Sequence, residues 1–246
     1  MFAALRTVMS NRRSVGFAVT AIVGAALLLG AAYESRGPDL AFAPEMAPRA
    51  VDLPDGRALF VQRYEVTVAE WNLCFEQGGC SMALRARPDQ DAALIPATGL
   101  NYMDVQEYVR WLSDVTRHEW RLPTSQEWAF MARPVLPKEP DPIFTDPELS
   151  WASSYLVEGL SSRALMPQGS FAATPEGISD LSGSVWEWTD DCYSGEADTG
   201  RCPAYYVGGE HVAAVPFLVR DPARGGCAAG SPPAHLGMRL VTDRSL

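Results

Sequence analysis

Two stretches of the chain decide its architecture: Trp120-Arg121-Leu122-Pro123-Thr124-Ser125-Gln126-Glu127-Trp128 and Gly177-Ile178-Ser179-Asp180-Leu181-Ser182-Gly183-Ser184-Val185-Trp186-Glu187-Trp188. In the first, Thr124 and Glu127 stand three residues apart, so hydroxyl and carboxylate can each close an open backbone N–H. This capping box predicts a short helix through Trp128 and Met131. The second lies in the C-terminal part of the chain, where short apolar runs are broken by Gly, Pro, Asp and Ser, the pattern of loops and short strands. Tryptophans at 71, 111, 120, 128, 151, 186 and 188 can organise a core despite so little regular structure, each burying about 200 Å².

Working outward, Leu59 to Tyr64 reads as a strand, and Thr67 with Glu70 forms a second capping box opening a helix that carries Val68, Trp71 and Phe75 inward. From Met103 to Thr116, Val105, Tyr108, Val109 and Leu112 fall on one apolar stripe, with Asp104, Glu107 and Arg110 turned away. A proline-rich stretch from Pro134 to Pro147 separates these helices from the irregular C-terminal part.

Ahead of the domain, Arg6, Arg12 and Arg13 precede an uncharged run of eighteen residues, Val15 to Ala32. As a helix it would be about 27 Å long, close to the hydrocarbon thickness. The reading is a cytoplasmic N-terminus over 1–14, a membrane span over 15–32, a linker over 33–51 and a periplasmic domain over 52–246, anchored in the inner membrane as a single pass. Cleavage near Gly30-Ala31-Ala32 is the alternative.

The composition, 47% hydrophobic and 20% charged, is globular. The formal net charge is -10, and the first 36 residues carry a net +3 of it, which leaves about -13 on the rest. That argues against nucleic acid as a partner, since phosphate contacts need a basic face. The single lysine, Lys138, lies in the proline-rich stretch. Five cysteines outside the cytoplasm read as a disulfide framework, Cys74 with Cys80 and Cys192 with Cys202, leaving Cys227 as the odd thiol. The competing metal reading lacks clustered ligands, because His118, His211 and His235 are scattered.

Arg63-Tyr64-Glu65-Val66-Thr67, Pro96-Ala97-Thr98-Gly99-Leu100, the two stretches quoted first, and Leu236-Gly237-Met238-Arg239-Leu240-Val241 follow one another in an order that resembles the formylglycine-generating enzyme, or sulfatase-modifying-factor, family over roughly residues 57 to 242. The resemblance implies an α+β, largely irregular fold resembling the C-type lectin type, here preceded by one transmembrane helix. It does not fix the activity, because the family holds copper-dependent oxidases, iron-dependent sulfoxide synthases and accessory proteins.

Taking Gly208-Gly209 as the counterpart of the family's Gly-Gly puts Ala213 and Leu218 where the oxidase carries the two cysteines that bind Cu(I). Cys227 then resembles a third, non-catalytic cysteine. The family's calcium site is implied in weakened form: Ser184 replaces the usual asparagine, while Glu187 and Asp190 remain as candidate Ca²⁺ ligands. Arg239 is expected to pair with a buried carboxylate. The groove of the family's enzymes maps to Tyr205, Tyr206, His211, Phe217, Arg220 and Arg224 as candidate partner-binding residues, aromatic and guanidinium groups of the kind enriched in binding hot spots.

Two readings of function follow. One is a membrane-anchored periplasmic accessory or binding protein without the oxidase pair, whose partner is a periplasmic or membrane protein, by analogy with the family one from a redox or denitrification complex. The alternative is an oxidoreductase acting on a periplasmic protein or peptide, with Cys227, His211 and His235 as its few candidate catalytic residues.

Overall fold

The computed structural model describes residues 37–136, 164–183, 185–193, 202–210, 213–222, 228 and 233–246. The chain divides into Met1–Asp39 and Leu40–Leu246, and the second unit carries the fold. Among the described residues no helix is long and apolar enough to cross a membrane. The expected span at 15–32 lies outside them.

Among the described residues the unit holds two small sheets, three α-helices and a short 3-10 turn at Leu40–Phe42. Strands β1 (Val51–Asp52), β2 (Ala58–Val61) and β7 (Val241–Thr242) form one antiparallel sheet in the order β1-β2-β7. Strands β3 (Val185–Cys192), β4 (Ala204–Gly208), β5 (Ala213–Pro216) and β6 (His235–Gly237) form the other, ordered β5-β4-β3-β6, with β3 and β6 parallel. The expected strand at 59–64 is shorter because the carbonyls of Gln62 and Arg63 turn aside to accept from Arg239 Nη1, at 3.0 and 2.7 Å.

The helices begin where side chains can close their open N–H groups. Both expected capping boxes are present, Thr67/Glu70 on α1 (Val68–Glu76) and Thr124/Glu127 on α3 (Ser125–Ala132). A third, Asn101/Asp104, opens α2 (Tyr102–Thr116) two residues after Gly99, whose φ of 75° suits glycine. Val105, Tyr108, Val109 and Leu112 face the core as expected, and all six described tryptophans are buried; Trp151 lies outside the described residues.

Three expectations need correction. Phe75 points to solvent, and Cys74 takes the inner position instead, bonded to Cys80. Asp104, expected to turn away, is 4% exposed because it serves both its helix cap and an arginine from the C-terminal part. The stretch read as linker through residue 51 is folded from Leu40: Phe42 packs on Trp111, and Met46 and Ala47 bridge to the end of β2.

Where the two sheets meet, Arg239 is fully buried, with 0% of its side chain exposed. Its Nε and Nη2 donate to Glu187 Oε1 at 3.0 and 2.8 Å, and Nη2 also donates to Ser179 O at 2.9 Å. Trp128 Nε1 donates to Glu187 Oε2 at 2.7 Å, so one carboxylate ties α3, β3 and the segment before β7 together. Glu65 lies 3.7 Å from the same guanidinium, and its Oε2 is buried without a hydrogen bond.

Burial pushes the Glu65 carboxyl up to about 8, with Arg239 opposing the shift and Glu187 and Asp180 adding to it. Folded Glu65 therefore keeps its proton at pH values where an unfolded glutamate has lost it. Its contribution to stability is intact below the ordinary glutamate value of 4.5 and falls as pH rises toward 8. Urea midpoints of the natural chain should fall between about pH 5 and about pH 8 more steeply than those of Glu65→Gln, which has no proton to lose. Parallel slopes for the two proteins would show that Glu65 is already ionised.

Candidate functional site

The end of β3, the start of β4 and the turn after β5 are drawn together by backbone bonds: Tyr193 N donates to Ala204 O, and Phe217 N to Pro203 O. The Cys192–Cys202 disulfide closes the same corner. Glycine is sterically required at 208 and 209, since a methyl group at Gly208 would overlap the Trp128 indole and one at Gly209 that of Trp186.

The candidate partner residues gather at this corner, and most are also tied into the fold. Tyr205 stacks on Tyr102 with ring centroids 3.5 Å apart, and Tyr102 donates its hydroxyl to Asp190 at 2.5 Å. Burial, then the Asp190 carboxylate, drives the Tyr102 hydroxyl far above the ordinary tyrosine range, so it acts here as a fixed donor. Tyr206 meets Tyr193 edge-on, and the Tyr193 ring is exposed. Phe217 packs partly against the core, and its carbonyl accepts from Tyr102 N.

Arg220 is a latch rather than a free guanidinium. Its Nε and Nη2 fork onto Asp104 Oδ2 and Oδ1, both at 2.7 Å, while Asp104 caps α2 from below. His211 and Arg224 lie outside the described residues.

The donor sets expected from the family do not suit its metals. Ala213 is fully buried on β5 opposite Val207, and Leu218 is 61% exposed in the turn beyond it. Neither can bind copper, and Cys74, Cys80, Cys192 and Cys202 are consumed in two disulfides. Cys227 lies outside the described residues. At the expected calcium site, Ser184 lies outside the described residues, and both Glu187 oxygens accept from Arg239 or Trp128. A guanidinium 2.8 Å from Glu187 Oε1 would repel a divalent cation there. Asp190, engaged by Tyr102, stands on the exposed end of β3.

His235 sits away from this corner, on β6 opposite Val185, where it lines a cavity with Pro96, Thr98, Arg85 and Arg87. The two arginines carry no signal in the sequence: they fall in a stretch without periodicity, and only the fold brings them to β6.

A family model described as sulfatase-modifying factor enzyme 1-like domain matches residues 13–244. No curated protein sequence matches the chain. Among solved structures, PvdO from Pseudomonas aeruginosa is similar at a TM-score of 0.52 and 18% identity, over 76% of this chain and 80% of that one. CarF gives 0.49 at 17% identity, over 76% and 87%. Treponema denticola variable protein 1 gives 0.45 at 15%, over 81% and 93%. At such identities the likeness to PvdO is one of fold.

Removing the latch should be measurable. Arg220→Ala leaves the buried Asp104 carboxylate without its ion pair and should cost roughly 1–3 kcal/mol in urea unfolding. It should also speed amide exchange at Phe217 and Val219, on the turn that Arg220 holds. Unchanged stability together with unchanged exchange would show that the pair is a surface contact without effect.

Proposed function

The chain belongs to the sulfatase-modifying factor enzyme 1-like family, and on that scaffold we propose a membrane-anchored periplasmic accessory protein that binds a partner protein and does not carry the copper-thiolate oxidation. One observation carries this reading. Of five cysteines, four are spent in Cys74–Cys80 and Cys192–Cys202, so a single thiol remains and a two-thiolate site cannot be assembled. The positions corresponding to the oxidase pair are a buried alanine and an exposed leucine.

Further support comes from chemistry and charge. Two disulfides favour an oxidising compartment, in keeping with the arginines ahead of the apolar run at 15–32. Tyr193, Leu218 and Met103 expose apolar surface on elements that meet beside Tyr205, Tyr206 and Phe217. Rigid aromatic rings at low entropic cost suit protein recognition. The partner is a periplasmic or membrane protein that docks on this corner.

The test uses full-length chain in intact spheroplasts, treated with a membrane-impermeant photo-crosslinker and then purified under denaturing conditions. The reading expects one periplasmic or membrane protein to be captured in stoichiometric amount. Tyr206→Ala with Leu218→Ser should abolish capture while leaving the unfolding midpoint in place, with losses of about 1–3 kcal/mol in binding for each anchor. Protection of the domain from the crosslinker would contradict the topology. Undiminished capture by the double variant would move the partner face elsewhere.

A further inference from the structure

We propose that the cavity between the start of α1, the loop at 84–90 and β6 binds a carboxylate carried on a short apolar body. The site is distinct from the partner corner and does not depend on it. The cavity measures about 260 Å³, a little below the roughly 300–1,000 Å³ of drug-sized ligand sites, so it suits only a small molecule. Val68, Ile95, Pro96 and Leu165 give it an apolar wall, and Arg85, Arg87, Thr98 and His235 give it polar edges. No aspartate or glutamate lines it among the described residues.

That charge pattern is unusual on this chain. With thirty acidic residues against twenty basic ones, arginines here find carboxylates readily. Arg57, Arg63, Arg121, Arg220 and Arg239 each hold one at 2.7 or 2.8 Å. Arg87 comes no closer to Asp89 than 3.8 Å, and Arg85 makes no ion pair among the described residues. Two under-paired guanidiniums at the rim of an apolar recess supply donors of the kind a carboxylate needs, with the wall left for its hydrocarbon part.

The loop that presents them is held before any ligand arrives. Asn72 clamps Leu84 through both its amide atoms, Nδ2 to Leu84 O at 3.0 Å and Leu84 N to Oδ1 at 2.9 Å. Gln90 N closes a turn onto Arg87 O at 2.9 Å, and Ala69 N reaches Ala92 O at 2.9 Å, fastening the loop to α1. The Cys74–Cys80 disulfide pins the chain just upstream. A preformed cradle lowers the entropic cost of binding a small ligand. The recess is too small for a folded partner, and its apolar wall offers nothing to bare inorganic phosphate.

The test is a titration of methyl-labelled full-length chain with hexanoate, followed by NMR at Val68 and Ile95, with hexanamide and inorganic phosphate as controls. Hexanoate should shift both methyl signals saturably, and hexanamide and phosphate should each bind about tenfold more weakly or worse. Arg85→Gln with Arg87→Gln should lower hexanoate affinity to the level of the amide without moving the unfolding midpoint, because both side chains are exposed. N-acetyl-leucine is run alongside to separate a free acid from a peptide end; tighter binding of either supports the carboxylate site and identifies its source. Equal affinities for hexanoate and hexanamide, an unaffected double variant, or silent methyl signals at Val68 and Ile95 would each overturn the proposal.

Discussion

The buried ion pair between Arg239 and Glu187 is the constraint on which the rest of the structure depends. With no part of either side chain exposed, the guanidinium has to satisfy its donors within the protein, and it does so on Glu187 and on the carbonyls of Gln62, Arg63 and Ser179. Those partners lie on segments far apart in sequence, so a single side chain fixes how the two small sheets meet. A pair of this kind adds little net stability over an apolar replacement, but removing one partner leaves an uncompensated buried charge, at a cost of roughly 3–5 kcal/mol. The arrangement of β2, β3 and the segment before β7 is the one that brings all of these acceptors to the guanidinium.

The path of β4 at the aromatic corner is set in part from this node. Glu187 also accepts from Trp128, whose indole lies against Gly208, and the adjoining Trp186 lies against Gly209. These contacts set the path of β4 and, through it, the placement of Tyr205 and Tyr206. The scaffold thus persists through indole and guanidinium packing that needs no thiol. Neither Ala213 nor Leu218 supplies a donor or acceptor to this node.

Local interactions were legible in the sequence and remote ones were not. The capping boxes at Thr67/Glu70 and Thr124/Glu127 join residues three apart, and spacing alone reveals them. The two disulfides likewise close short loops. Asp104 shows the opposite case: helical periodicity places it on the polar face, yet Arg220, 116 residues away, draws it under cover. The segment from Leu40 to Ala50 reads as linker because its bonds to the end of β2 follow no period. Arg239 suggested a buried carboxylate partner without saying which, so Glu187 could be read as a calcium ligand from its place in the tryptophan motif. Arg85 and Arg87 stand beside β6 only through the fold, and nothing in their neighbourhood along the chain marks them.

The two disulfides take up four of the five cysteines and so limit the thiolate chemistry open to the chain. A protein with one thiol offers no pair of soft ligands, and the proposed functions rest instead on the aromatic corner and on the recess beside β6. The most direct measurement is a thiol count on the full-length chain, denatured without reductant and titrated with a thiol-specific chromophore, followed by peptide mapping. One thiol per chain, on Cys227, is the predicted result, being the five cysteines less the four in disulfides. Three or more thiols, or a Cys227 linked to any of the other four, would restore the material for a thiolate site and contradict the account.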